Sequence, residues 1–175
     1  RGGGKAALEV QNAILNINGV TITNLASSGY GILPSGNTTL NVYDGIIEGG
    51  TSAISSNATY AVTPQINIFG GQIKGHYYGM YLPGQTVTTI SGGFVEGINM
   101  RMGNVRVTGD AQIGPARMTA TDSDDIGVEI NTSGNIWLGD AITMLVGQYA
   151  ASQTQSDSID ATLTIEENAK VSSNF

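Results

Sequence analysis

The side chains with chemistry to offer gather in three places. Three carboxylates, Asp122, Asp124 and Asp125, crowd a short stretch ahead of Ile126-Gly127-Val128-Glu129. Clustered carboxylates read either as a weak cation site or as a solvated acidic loop. An aromatic run, His76-Tyr77-Tyr78-Gly79-Met80-Tyr81, contains the chain's one histidine. Rings held outward on a rigid strand suit sugar stacking or protein recognition; the competing reading is an aromatic cover over a corner. The single tryptophan, Trp137, stands between Ile136 and Leu138, so a period of two sends it outward. Arg106 has the same place between Val105 and Val107, and Tyr30 precedes Gly31 as Tyr78 precedes Gly79.

A repeat must position these groups. Gly70-Gly71-Gln72-Ile73-Lys74-Gly75 returns as Gly92-Gly93-Phe94-Val95-Glu96-Gly97, 22 residues on. Looser copies place unit starts at residues 15, 40, 66, 88, 105, 136 and 163, a mean spacing of about 25. From the fifth unit the corner changes: Val105-Arg106-Val107-Thr108-Gly109-Asp110-Ala111 is matched by Leu163 to Ala169, with a shorter copy at Ile136 to Ala141. A second strand recurs between starts, opening at Gly31-Ile32, Gly79-Met80, Gly97-Ile98 and Gly127-Val128. Short alternating strands, glycine corners and no helical period predict an all-β solenoid, a single-stranded parallel β-helix of about seven coils. An antiparallel sandwich would instead show paired hairpin turns without a constant motif. Stacking the units puts Asn41, Asn67 and Thr89 in one outward ladder and Tyr43, Phe69 and Ser91 in the next. Amide ladders of this kind are structural, each bonding the coil above and below.

Composition agrees. Glycine reaches 25 of 175 residues, charged residues only 12%, and there is no cysteine, which excludes disulfides and thiol chemistry. No apolar run approaches the roughly 18 residues of a membrane span, so no membrane insertion is expected. The net charge of −7 is uneven. Residues 119–175 hold nine acids against Lys170 alone, so no nucleic-acid partner is expected. One domain is expected over 1–175, as a piece of a longer protein. Residues 1–5 are expected to form a flexible edge, with loop insertions at 117–125 and 146–160.

The alternation of Ile-x-Ile-x-Gly-Gly-x-Ile-Lys/Glu-Gly with Gly-Met-Tyr-Leu-Pro-Gly resembles the right-handed parallel β-helices of the pectate-lyase-like superfamily. Within it the repeats look most like repetitive secreted or surface proteins of Gram-positive gut bacteria, over residues 7–172. The resemblance implies a right-handed coil and an extracellular or cell-surface location, but no single activity, because the superfamily holds lyases, hydrolases, phage tailspikes, adhesins and stalks. A hydrolase of this kind would use paired carboxylates, here Asp124 and Asp125, roughly 6.5–9.5 Å apart. A lyase would use calcium on Asp122, Asp124 and Asp125 with Arg101, Arg106 or Arg117 nearby. Against both, His76 lies upstream of the acids, and the hydrolase pattern's Asn-Thr-Asp and Arg-x-Lys motifs are absent.

The reading carried forward is a non-catalytic module that needs no cofactor, calcium being the alternative. It meets a glycan or host protein through Tyr30, His76, Tyr77, Tyr78, Tyr81, Trp137 and Arg106. A polysaccharide lyase or hydrolase fragment is the second reading, and a phage tailspike or fibre the third. The chain is expected to be a monomer, or a trimer if phage-derived.

Overall fold

The computed structural model describes residues 6–56, 62–115, 128–130, 136–138, 144–146 and 161–172. These form three six-stranded parallel sheets, and each sheet takes roughly every third strand of the chain. Sheet I holds β1 (Ala6–Gln11), β4 (Tyr30–Ser35), β7 (Ser52–Ser55), β10 (Tyr78–Leu82), β13 (Ile98–Met100) and β18 (Met144–Val146). Sheet II holds β2 (Ile14–Ile17), β5 (Thr39–Val42), β8 (Gln65–Ile68), β11 (Val87–Ile90), β14 (Gly103–Val107) and β19 (Ala161–Ile165). Sheet III holds β3 (Val20–Asn24), β6 (Gly45–Gly49), β9 (Gln72–Gly75), β12 (Phe94–Glu96), β15 (Gln112–Gly114) and β20 (Lys170–Val171). One strand from each sheet makes a row, and rows stack in register, an arrangement consistent with a β-helix-like fold.

Register follows from the period of two, because a slip by one residue would turn each apolar set outward. In sheet II, Leu15 pairs with Leu40 and Leu40 with Ile66, while Ile17 pairs with Val42 and Val42 with Ile68. Sheet III contributes Ile47, Ile73, Val95 and Ile113, and sheet I contributes Ile32, Ile54, Met80 and Ile98, to one buried cluster. The Gly-Gly doublets turn sheet II into sheet III. A Cβ on Gly70 or Gly92 would come within 2.3 Å of the carbonyl oxygen one row below, and Gly71 and Gly93 adopt φ of +84° and +77°. Space is the constraint at the first glycine and handedness at the second.

Two expectations change. The unit at Ile136 is not a row: β17 (Ile136–Leu138) pairs antiparallel with β16 (Val128–Ile130), placing Trp137 opposite Glu129. The strand beside β14 is instead β19, with Thr164 opposite Arg106. The turn explains the choice. Leu163 to Val171 repeats Val105 to Ile113 without a gap, down to matching turn bonds from Ala111 N to Thr108 O and from Ala169 N to Glu166 O. The copy at Ile136 is one residue shorter before its Asp-Ala pair and one shorter after it. The sheets are therefore six rows deep among the described residues, not about seven.

Candidate functional site

Sheet I gathers most of the aromatic candidates. Tyr30 and Tyr78 both pair with Ser52, one from each side, so they occupy one ladder two rows apart. Tyr81 pairs with Ser55 and with Asn99, which alternates with the core residues Ile98 and Met100. The Arg101 guanidinium lies over the Tyr81 ring, 5.3 Å from its centroid, and Tyr78 is hydrogen-bonded to Asn99. His76 and Tyr77, in the turn between β9 and β10, meet edge to face at 4.8 Å. Tyr30, His76, Tyr77, Tyr78 and Tyr81 thus lie on or beside this sheet. Asn99, which completes the group with Arg101, gave no sequence signal except its place after Ile98.

Burial decides what this group can do. Strands β7 and β13 are buried on both faces, whereas β8 and β11 alternate. Asn99 is fully buried and Tyr78 is 2% exposed, so Tyr78 is not an outward ring. It pairs with Ser52 in the ladder and is hydrogen-bonded to Asn99. Tyr30, His76, Tyr77 and Tyr81 are half-buried. Burial pushes the Tyr78 hydroxyl well above the usual phenol range, partly offset by the Asn99 bond, and burial also raises Tyr81.

These shifts predict a weak alkaline limb. The unfolded phenol titrates near 10.0, and the folded one higher, so the unfolded chain releases protons first. Stability is intact below that pH and falls as pH rises above it, by at most about 1.4 kcal/mol per pH unit for each such group. Urea midpoints measured through this range are expected to fall for wild type and to fall less steeply for Tyr78→Phe.

The other candidates lie apart. Arg106 projects from sheet II, exposed, and is held by Glu166 through two bonds of 2.7 and 2.9 Å. That contact lowers the Glu166 carboxyl and raises the guanidinium, so a ligand at Arg106 must compete with an ion pair already made. The side chain of Trp137 lies outside the described residues, as do Asp122, Asp124, Asp125, Arg117 and residues 1–5. Residues 117–125 are likewise outside, and of 146–160 only Val146 is described. A trough of about 620 Å³ is lined by Thr108, Gly109, Ile165, Glu166, Glu167 and Asn168.

Among the described residues, the most open aromatic surface is elsewhere. Tyr43 and Phe69, at the turn from sheet II to sheet III in consecutive rows, stack at 5.0 Å and 9°. They are 49% and 47% exposed. Two positions back along each strand stand Asn41 and Asn67, on the same face. Their amides form the expected ladder, extended by Asn16: Asn67 donates to Asn41 and Asn41 to Asn16, both at 2.9 Å. An amide donates twice and accepts twice, so each rung keeps capacity for a further bond. Compared with known protein families, curated proteins and solved structures, this chain matches none.

Proposed function

We propose that this chain is a non-catalytic, right-handed single-stranded β-helix module of the pectate-lyase-like kind. It is secreted or held at a cell surface, where it serves as an adhesin or stalk and binds a glycan. The observation that carries this reading is the half-exposed, coplanar Tyr43–Phe69 pair beside the Asn16–Asn41–Asn67 ladder. Flat rings offer the C–H face of a sugar an apolar platform, and neighbouring amides offer its hydroxyls donors and acceptors. Ladder bonds and paired strands hold both parts, so little ordering entropy is lost on binding. Tyr30, His76, Tyr77 and Tyr81, half-buried on or beside sheet I, form a separate face whose role is secondary.

Each ring stack is worth about 0.5–1.5 kcal/mol beyond its area, so removing both weakens binding about tenfold or more. Glycan-array screening followed by calorimetry on the best polysaccharide should show this loss for Tyr43→Ala/Phe69→Ala, with an unchanged circular dichroism spectrum. A double variant that binds as tightly as wild type would sink the assignment. Release of reducing ends from pectin in the presence of calcium would replace this reading with the catalytic one.

A further inference from the structure

The outer face of sheet II is uncharged through its middle rows, β5, β8 and β11. One outward column there reads Thr39, Gln65 and Val87, and the next reads Asn41, Asn67 and Thr89. Each of these strands has a neighbour on both sides, so its openness is that of a face and not of an edge. Gln65 and Val87 are exposed, as are Tyr43 and Phe69 at the adjoining turn. Among the described residues of sheet II's six strands, Arg106 alone is charged, one row beyond Thr89. Glu166 already holds it. Sheet III differs, since Glu48 pairs with Lys74 in one of its outward columns.

We infer that this face takes a neutral, extended, β-1,4-linked polysaccharide, laid along the stack with about one sugar ring to each row. The inference rests on the glycan-binding reading above and names the class of its ligand. Charge decides against an acidic chain. A uronate laid on these rows would give up water and meet amides, hydroxyls and rings, with no cation in β5, β8 or β11. Desolvating a carboxylate without a counter-charge is costly. Asp44, next after Tyr43, is exposed, and the net charge of −7 adds to the repulsion. Neutral hydroxyls instead suit the Asn41 and Asn67 amides, which keep bonding capacity beyond the ladder.

Spacing sets the direction. Rows advance by about 4.8 Å, and the Tyr43 and Phe69 rings step by 5.0 Å. A sugar ring in an equatorially linked, extended chain advances by about as much, so ring, amide and hydroxyl contacts recur at one interval along the stack. A chain laid across the strands would meet an outward side chain only at every second residue. An α-linked chain that coils could not follow an in-register ladder.

Calorimetry on the whole chain with defined hexasaccharides tests the inference. The best of the β-1,4 hexaoses of glucose, mannose and xylose should bind about tenfold or more tightly than β-1,4 hexamannuronate or coiling maltohexaose. Its Kd should stay within about twofold between 0.01 and 1 M salt, although the screening length falls from about 30 to 3 Å. Two rings should bind far more weakly than six. Asn41→Ala and Thr89→Ala, two rows apart, should each weaken the hexaose severalfold, while Gln112→Ala on sheet III should not. Preference for hexamannuronate, abolished by Tyr43→Ala/Phe69→Ala, overturns the neutral ligand and leaves the aromatic platform standing. Tight neutral binding that is complete with two rings and indifferent to Thr89→Ala overturns the lengthwise placement. Failure to bind any of the three neutral hexaoses overturns the inference outright, and a blank glycan array would take the platform with it.

Discussion

Tyr78→Ala is expected to lower unfolding stability by about 4 kcal/mol, in line with aromatic truncations in packed cores. The ring is 2% exposed, lies on a strand buried along most of its length, and its hydroxyl bonds Asn99, itself fully buried. Truncation removes apolar contact, opens a cavity and takes a partner from a buried amide, three losses in one direction. Tyr43→Ala is the contrasting control. Its ring is about half exposed and touches mainly Phe69, so the cost should stay near 1 kcal/mol. Urea midpoints separate the two, and comparable losses would contradict the assignment of Tyr78 to the interior. Tyr78→Phe should fall near the control, costing about 1 kcal/mol for the lost bond.

That contrast shows what kind of information the sequence carries. Alternation and corner glycines repeat at every row, so Leu15, Leu40 and Ile66 reveal their shared column without any structure. The Asn41–Asn67 ladder was legible for the same reason, since identical residues at identical places in a repeat must stack. Sheet I breaks the rule linking polarity to exposure. Ser52, Ser55 and Asn99 are polar and yet buried. What buries such a face is tertiary, and no local period records it. The unit at Ile136 failed differently. Its alternation fits the repeat, but a turn shorter by a residue on each side of its Asp-Ala pair does not fit the stack, and β19 pairs with β14 instead. Trp137 therefore lost its expected place beside Arg106, and Arg106 found Glu166, 60 residues away. Among the aromatics, chemical rarity drew attention to Trp137 and His76, while the exposed pair stood in the ordinary repeat position of Tyr43 and Phe69.

Gly75→Ala is the second large effect, expected to cost about 3 kcal/mol or more although it adds one methyl group. The constraint there is room. A Cβ at Gly75 would sit 1.8 Å from the Tyr78 carbonyl oxygen and 2.9 Å from the Ser52 Cα. Neither is the movable end of a side chain, so the turn itself must open. Gly49, one row below in the same column, faces the same obstacle from the Ser52 carbonyl oxygen at 1.9 Å. The two glycines thus let sheet III pass into sheet I in two successive rows by a turn too tight for any side chain. Opening it at Gly75 displaces the start of β10, and with it the ladder in which Tyr78 pairs with Ser52. Gly19→Ala separates this cause from backbone handedness: φ there is +69° and nothing lies within 4 Å of the added carbon. That variant should cost only the left-handed penalty of about 1–2 kcal/mol. If Gly75→Ala proves no worse than Gly19→Ala by urea denaturation, the close approach at the Gly75 turn is not what fixes the passage between these sheets. If it is worse, the loss should also appear as weaker amide-exchange protection in β10 and in its neighbours β7 and β13, the strands that depend on that turn for their register.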